Sequence, residues 1–154
     1  MNIKTFVSAS VLGLAVCSAA AVAQSAPQAP AASGYSWAAS CRSCHAEIYD
    51  AWAKTKHASA LDRLSGPNQE TACVGCHVTG PKTRVNDGKT VLNGGVQCEA
   101  CHGGAAAHAA DPAVKTGLVK VPSESLCTEC HSDKGPHFKG FFYGAMAGLS
   151  HKVK

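Results

Sequence analysis

Four copies of one short motif dominate the chemistry available to this chain. Each copy holds two cysteines separated by two residues and followed at once by a histidine, a spacing written CxxCH. In chain order the copies are Cys41-Arg-Ser-Cys44-His45, Cys73-Val-Gly-Cys76-His77, Cys98-Glu-Ala-Cys101-His102 and Cys127-Thr-Glu-Cys130-His131. This pattern is the attachment signature of c-type haem, in which two thiols bond the porphyrin edge and the histidine ligates iron. We therefore predict four covalent haems c, with the eight cysteines as attachment residues and the four histidines as proximal iron ligands.

Zinc binding and disulfide bonding are the competing uses of paired cysteines. Neither requires a histidine directly after the second cysteine of every pair. The chain holds only 8 histidines in 154 residues, so four such placements by chance are improbable. The repeated histidine favours haem over both alternatives.

The histidines outside the motifs match the number of second axial ligands that four haems need. They are His57, His108, His137 and His151. Once a signal peptide is removed, Met146 is the one methionine left, so at most one haem can have His/Met ligation. Bis-histidine ligation and low potentials are therefore expected, because methionine ligation is what raises the potential. For His137 the sequence leaves a ligand role and a surface role equally open.

Two predicted helices position two of these histidines. Apolar residues recur at helical spacing over about 47–64, and His57 lies on that face. A second helix is predicted over 138–149, with His151 just beyond its end. His108 follows a run of small residues that permits close approach of the backbone to a porphyrin. Residues 81–95 are equally compatible with a small hairpin and with a plain loop.

The beginning of the chain is typical of an exported protein. Residues 1–23 have a short positive start, an apolar stretch and a small-residue cleavage site, as in a secretory signal peptide. The stretch is too short to span a membrane. Residues 24–36 read as a flexible Pro/Ala/Ser linker, and 37–154 as the haem domain. Lipid anchoring at Cys17 is disfavoured, because Val16 is larger than the residue normally found there. The predicted location is the periplasm.

Composition limits what this chain can be without a cofactor. Alanine supplies much of the 45% apolar content, and aromatic residues make up only 6%. A domain this small therefore needs other material in its core, which excludes a large cofactor-free enzyme. The net charge of +4 is scattered rather than clustered, so no nucleic-acid partner is expected. The predicted fold is mainly α, with short helices and loops around four closely packed haems and little or no sheet.

Three longer segments resemble the tetrahaem cytochrome c-554 family over about residues 37–131. They are Trp52-Ala-Lys-Thr-Lys-His57-Ala-Ser-Ala, Cys73-Val-Gly-Cys-His77-Val-Thr-Gly80 and Gly95-Val-Gln-Cys98-Glu-Ala-Cys101-His102-Gly103. The resemblance implies a mostly helical periplasmic fold with haems in close, stacked pairs.

The same resemblance implies a set of axial pairs. They are His57 with His102, His108 with His45, and a C-terminal ligand, for which His151 is the better candidate, with His131. In that family the second haem, here that of His77, can lack a strong distal ligand. This chain is shorter after its fourth motif and has His137 directly beyond it. The sequence therefore does not decide whether the His77 iron is open or is capped by a distal ligand.

Electron transfer is the function that the sequence favours. Haems held by histidine on both sides change charge without changing ligands, and close packing lets electrons hop between them. Such a protein needs redox partners, an upstream donor and a downstream acceptor. The alternative is a reductase or oxidase of a small nitrogen compound, such as nitric oxide or hydroxylamine, at an open iron. Contact with a membrane complex or with further copies of the chain also stays open. The acidic residues show no catalytic pattern, and Glu99, Glu129, Asp62 and Asp111 are expected in solvent or beside haem propionates.

Overall fold

The protein consists of short helices joined by turns and loops. The computed structural model describes residues 34–66, 68, 72–85, 91–135 and 138–152. The α-helices are α1 (Trp37–Cys41), α2 (Ala46–Trp52), α3 (Cys98–His102), α4 (Ala106–Ala110), α5 (Glu124–Thr128) and α6 (Tyr143–Met146). Shorter 3-10 helices span Leu61–Arg63, Ala72–Cys76 and Ala147–Leu149. Within these described ranges, β-structure is limited to isolated bridge residues, which include an antiparallel bridge between Val78 and Gly94. The predicted mainly α fold with little or no sheet is confirmed.

Each haem-attachment motif lies on or beside one helical turn. In the first and fourth motifs, the histidine N–H donates to the carbonyl of the first cysteine, at 2.9 Å for both His45 and His131. Residues three and four apart share one face of a helix. A single turn therefore presents both thiols and the imidazole on the same side, as attachment to one porphyrin requires.

The predicted helix over 47–64 is wrong beyond Trp52, where α2 ends. Residues 53–60 form turns and not a helix, and two of their carbonyls accept hydrogen bonds from distant parts of the chain. The His57 carbonyl accepts from Val96 N–H at 2.9 Å, and the Ala60 carbonyl accepts from the His77 ring at 2.5 Å. These contacts join the His57 turn to the second and third motifs at the expense of helical hydrogen bonds.

The predicted helix over 138–149 is also shorter than expected. Only α6 and the following 3-10 turn are helical, and together they end at Leu149. Gly140 has a φ of +91°, which a right-handed helix does not permit. Phe142 caps α6 in an extended conformation, so the helix begins after it.

The apolar core is small. The buried apolar side chains of the described residues are Trp37, Ala38, Ala60, Leu61, Val74 and Val78. Leu61, Val74 and Val78 form one cluster, with Leu64 and Val91 packed against it. This cluster holds the 3-10 turn after His57 against the second haem motif.

Buried polar side chains organise the segment between the second and third motifs. Asn93 is fully buried, and its amide nitrogen donates to the carbonyls of Thr79, Pro81 and Thr83. Its amide oxygen accepts from Val85 N–H at 2.8 Å. Residues 79–85 are thus wound around one side chain, and residues 86–90, in the middle of the segment where a hairpin or a loop is predicted, lie outside the described ranges.

Candidate functional site

Three pairs of histidine rings lie at the centroid separation that a shared iron requires. The ring centroids are 6.4 Å apart for His45 and His108, 5.8 Å for His57 and His131, and 5.9 Å for His102 and His151. A metal–imidazole bond is about 2 Å long, so two imidazoles on opposite sides of one iron have centroids about 6 Å apart. Each pair joins a motif histidine to a histidine outside the motifs, so the residues fit three bis-histidine haems.

Hydrogen bonds to backbone carbonyls orient three histidine rings for metal ligation. The Nδ1 atoms of His77, His102 and His108 lie 2.5, 2.6 and 2.9 Å from the carbonyls of Ala60, Val119 and Val114. An Nδ1–H that donates to a carbonyl leaves the lone pair on Nε2, the nitrogen that then ligates the metal. The backbone therefore selects the ligating tautomer.

The His57 and His131 pair lies in a partly apolar setting. Phe141 stacks on His131, with ring centroids 5.1 Å apart. Burial lowers the pKa of the His57 imidazole, and the neighbouring His131 lowers it further. Both effects favour neutral His57, which is the form that binds a metal.

The structure pairs two of the histidines differently from the family resemblance. His45 faces His108 as expected. His57, however, faces His131 rather than His102, and His151 faces His102 rather than His131. The turns at residues 53–60 are what carry His57 to the fourth motif, and the sequence pattern there indicated a helix instead.

His77 differs from the other motif histidines. Its Nδ1 binds the Ala60 carbonyl, but no histidine ring of the described residues faces it. His137, the fourth candidate for a distal ligand, lies outside the described residues. The second motif thus presents one imidazole without a described axial partner.

Cysteines of different motifs lie close together, and this gives the order in which the motifs adjoin. The Cys41 and Cys98 thiols are hydrogen bonded, which raises the pKa of Cys41 and lowers that of Cys98 to about 7. Cys130 is hydrogen bonded to Cys76, and burial followed by this contact raises the pKa of Cys130 to about 12. The first motif therefore adjoins the third, and the second adjoins the fourth.

The third and fourth motifs adjoin as well. Burial raises the pKa of Cys101, and the nearby Cys127 raises it further. None of the eight motif cysteines, all of which are described, forms a disulfide. Among the described side chains, His, Cys, Asp and Glu form no group of three or more that could hold a metal ion directly.

Glu99 is a site residue that the sequence analysis placed wrongly. It was expected in solvent or beside a propionate, yet it is 4% exposed. Its carboxylate accepts hydrogen bonds from the backbone N–H groups of Ser36, Trp37 and Ala105, at 2.9, 2.7 and 2.7 Å. A glutamate between the two cysteines of a motif does not by itself indicate burial, because Glu129 lies between the cysteines of the fourth motif and is exposed.

Several large apolar side chains are exposed in the described part of the chain. Val121 and Phe142 are 72% and 74% exposed, and Leu149, two residues before His151, is 60% exposed. A porphyrin supplies an apolar surface of the kind that such side chains pack against.

Two family models match this chain. One, described as "Cytochrome c554 and c-prime", matches residues 40–103, and the other, described as a doubled CXXCH motif, matches residues 90–136. Together they include all four CxxCH motifs. These matches support a c-type cytochrome of the cytochrome c-554 family. The family predicted from the sequence and the predicted covalent haem c are both confirmed.

The comparisons with known proteins return cytochromes. Cytochrome c-554 of Nitrosomonas europaea is 34% identical over 41% of this chain and 35% of its own length. The chain thus spans about a third of that curated relative. The solved structure of reduced cytochrome c554 from Nitrosomonas europaea matches 77% of this chain and 78% of its own, with a TM-score of 0.53 and 24% identity. The structure of the outer cell wall cytochrome OcwA matches 64% of this chain and 37% of its own, with a TM-score of 0.47 and 17% identity.

Proposed function

We propose that this cytochrome transfers electrons through four haems c, each attached to the two cysteines of one motif. The observation that carries the proposal is the set of three facing histidine pairs. An iron held by imidazoles on both faces gains or loses an electron without changing its ligands. Histidine on both faces also supports low potentials, because methionine ligation is what raises them.

The adjoining motifs support one linear route for electrons. The first motif adjoins the third through Cys41 and Cys98, and the third approaches the fourth through Cys101 and Cys127. The fourth adjoins the second through Cys130 and Cys76. The proposed order of haems is first, third, fourth and second, so that the first and second haems are the ends of the route.

The predicted signal peptide supports a periplasmic location, where c-type haem is attached in bacteria. A donor protein and an acceptor protein would then exchange electrons with the two ends of the route. No helix within the described ranges is long and apolar enough to cross a bilayer.

Haem attachment and electron transfer can be tested together on the exported protein. We expect its mass to exceed that of the processed chain by four haems. A variant in which both cysteines of one motif are changed to alanine should lose one haem. A spectroelectrochemical titration of the full protein should show four reversible one-electron steps at low potential. Fewer than four haems, or haems that do not reduce reversibly, would overturn the proposal.

The axial pairs can be tested by removing one ligand and then one haem. H57A should convert one low-spin haem to high-spin, detected by electron paramagnetic resonance. In that background, C127A with C130A removes the fourth haem and should abolish the new high-spin signal, because His57 faces His131. C98A with C101A is the matched control and should leave the signal in place. The reverse result would instead pair His57 with His102.

The second candidate function is reduction or oxidation of a small nitrogen compound at the second haem. It is favoured by one observation, that no described histidine ring faces His77. Nitric oxide added anaerobically to the reduced protein should then bind to one haem in four, seen as a change in the visible spectrum. If no haem binds it, this candidate fails while the electron-transfer proposal stands.

A further inference from the structure

Two buried hydrogen-bond donors beside the first haem motif have no acceptor among the described residues. They are the hydroxyl of Ser36 and the indole Nε1–H of Trp37. Trp37 is only 5% exposed. Buried polar groups in folded proteins are nearly always hydrogen bonded, and a buried tryptophan N–H usually finds a partner. Two adjacent exceptions therefore indicate an acceptor that the polypeptide itself does not supply.

The backbone at this position is already fully used, so only the side chains are left to bind that acceptor. The N–H groups of Ser36 and Trp37 both donate to the Glu99 carboxylate. Trp37 has a φ of +63°, a conformation that is rare and costly for a bulky residue. Its ring stacks on Tyr35, with centroids 5.4 Å apart and an interplanar angle of 8°. Stacking thus holds the indole in position, although the backbone of Trp37 is strained.

The first haem is the nearest missing group. Trp37 begins α1, and Cys41, the first attachment cysteine, ends it. The Cys41 sulfur lies 3.7 Å from the Trp37 carbonyl oxygen. Haem carries two carboxylates as its hydrogen-bond acceptors, and a buried carboxylate is stable only when donors surround it.

We propose that Ser36 Oγ and Trp37 Nε1 donate hydrogen bonds to a propionate of the haem attached to Cys41 and Cys44. This assignment rests on the covalent haem c of the family and not on the electron-transfer route. The two donors draw negative charge away from that propionate. They therefore weaken its stabilisation of ferric iron, and the potential of the first haem rises.

The chain has only two tryptophans, which makes the indole contact directly observable. In the fully reduced holoprotein labelled with ¹⁵N-tryptophan, W52F leaves a single indole signal, that of Trp37. We expect this N–H to exchange slowly with solvent and to show a nuclear Overhauser effect to the propionate methylenes of the haem on Cys41. Fast exchange with no such effect, or an effect to a different haem, would overturn the proposal.

The potential gives a second readout that a merely structural role would not move. W37F keeps an aromatic ring but removes the donor, and should shift the reduction equilibrium of the first haem about threefold toward the oxidised form. A tenfold change in a one-electron couple corresponds to about 59 mV, so the reduction potential of this haem should fall by about 28 mV. S36A should act in the same direction.

The matched control is W52F, because Trp52 Nε1 already donates to the Val96 carbonyl at 2.9 Å. That variant loses a hydrogen bond within the polypeptide and should leave the potential of the first haem unchanged. If W37F and S36A both fold and leave every haem potential unchanged, the propionate contact is absent.

Discussion

At the residue scale, one buried carboxylate ties two haem motifs together. Glu99 sits inside the third CxxCH motif and accepts the N–H groups of Ser36 and Trp37, just ahead of the first. Gln97 adds a parallel contact, since its amide oxygen accepts from Ala38 N–H at 2.7 Å. These bonds fix the start of α1 against α3, and so the first haem against the third.

Replacing Glu99 by alanine should destabilise the holoprotein strongly. Hydrogen bonds to a charged group contribute about 1.5–3 kcal/mol each, and three backbone N–H donors, one buried and two partly buried, would lose their acceptor. We expect the free energy of unfolding, from denaturation by guanidinium followed by circular dichroism, to fall by about 3 kcal/mol or more. E129A is the matched control, a glutamate exposed inside the fourth motif, and should change stability by less than about 0.5 kcal/mol. Equal effects of the two variants would contradict the role given to Glu99.

Residue types alone predicted the attachment cysteines and the candidate iron ligands, because CxxCH and the histidine count are local properties of the chain. The pairing of His57 with His131 is not local. It depends on where the chain turns after Trp52, and on carbonyl contacts to residues far along the sequence. The burial of Glu99 escaped prediction for the same reason, since two of its three partners, Ser36 and Trp37, lie more than sixty residues away.

At the element scale, glycines allow the loops that carry the ligands to approach closely. Gly95 has a φ of +82°, and a Cβ there would overlap the carbonyl oxygen of Ala58. Its own N–H donates to the His77 carbonyl at 3.0 Å. Gly95 therefore lies between the turn that holds His57 and the second motif.

Changing Gly95 to alanine should displace the His57 turn. A side chain in the left-handed region costs about 1–2 kcal/mol, and the overlap with Ala58 adds to it. We expect a loss of about 2–3 kcal/mol in the free energy of unfolding. A high-spin signal from one haem should accompany it, measured by electron paramagnetic resonance.

Gly144 offers the matching control, because it lies in α6 and a Cβ there meets nothing within 4 Å. G144A should stabilise the protein by about 0.5–1 kcal/mol, as alanine does in a helix, and should leave the spin states unchanged. A G95A protein as stable as the unchanged one would contradict the close packing of this turn.

The helical content was predicted in kind but not in extent. Apolar residues over 47–64 recur at helical spacing, yet α2 stops at Trp52. Side chains that pack on porphyrin produce the same spacing as side chains that pack on protein. In this fold the periodicity does not require a continuous helix.

At the scale of the whole molecule, the described part of the polypeptide buries only six apolar side chains, which is a small core. Two of the six, Ala38 and Ala60, are alanines, while large residues such as Phe142 and Val121 remain exposed. Domains with so little core depend on disulfides, metals or cofactors.

A variant with all eight motif cysteines changed to serine should therefore lack a cooperative fold. We expect reduced helical circular dichroism and a gradual, non-cooperative response to urea, whereas the haem-loaded protein should unfold in one sharp transition. Sharp unfolding of the haem-free variant would show that the polypeptide alone supplies the stability.

The most direct test of the account is the spin state of the irons in the fully oxidised, exported protein. Electron paramagnetic resonance, calibrated against total haem, counts the irons that carry two strong ligands. The three histidine pairs predict low-spin signal from at least three of the four haems. Two or more high-spin haems would contradict the bis-histidine pairs.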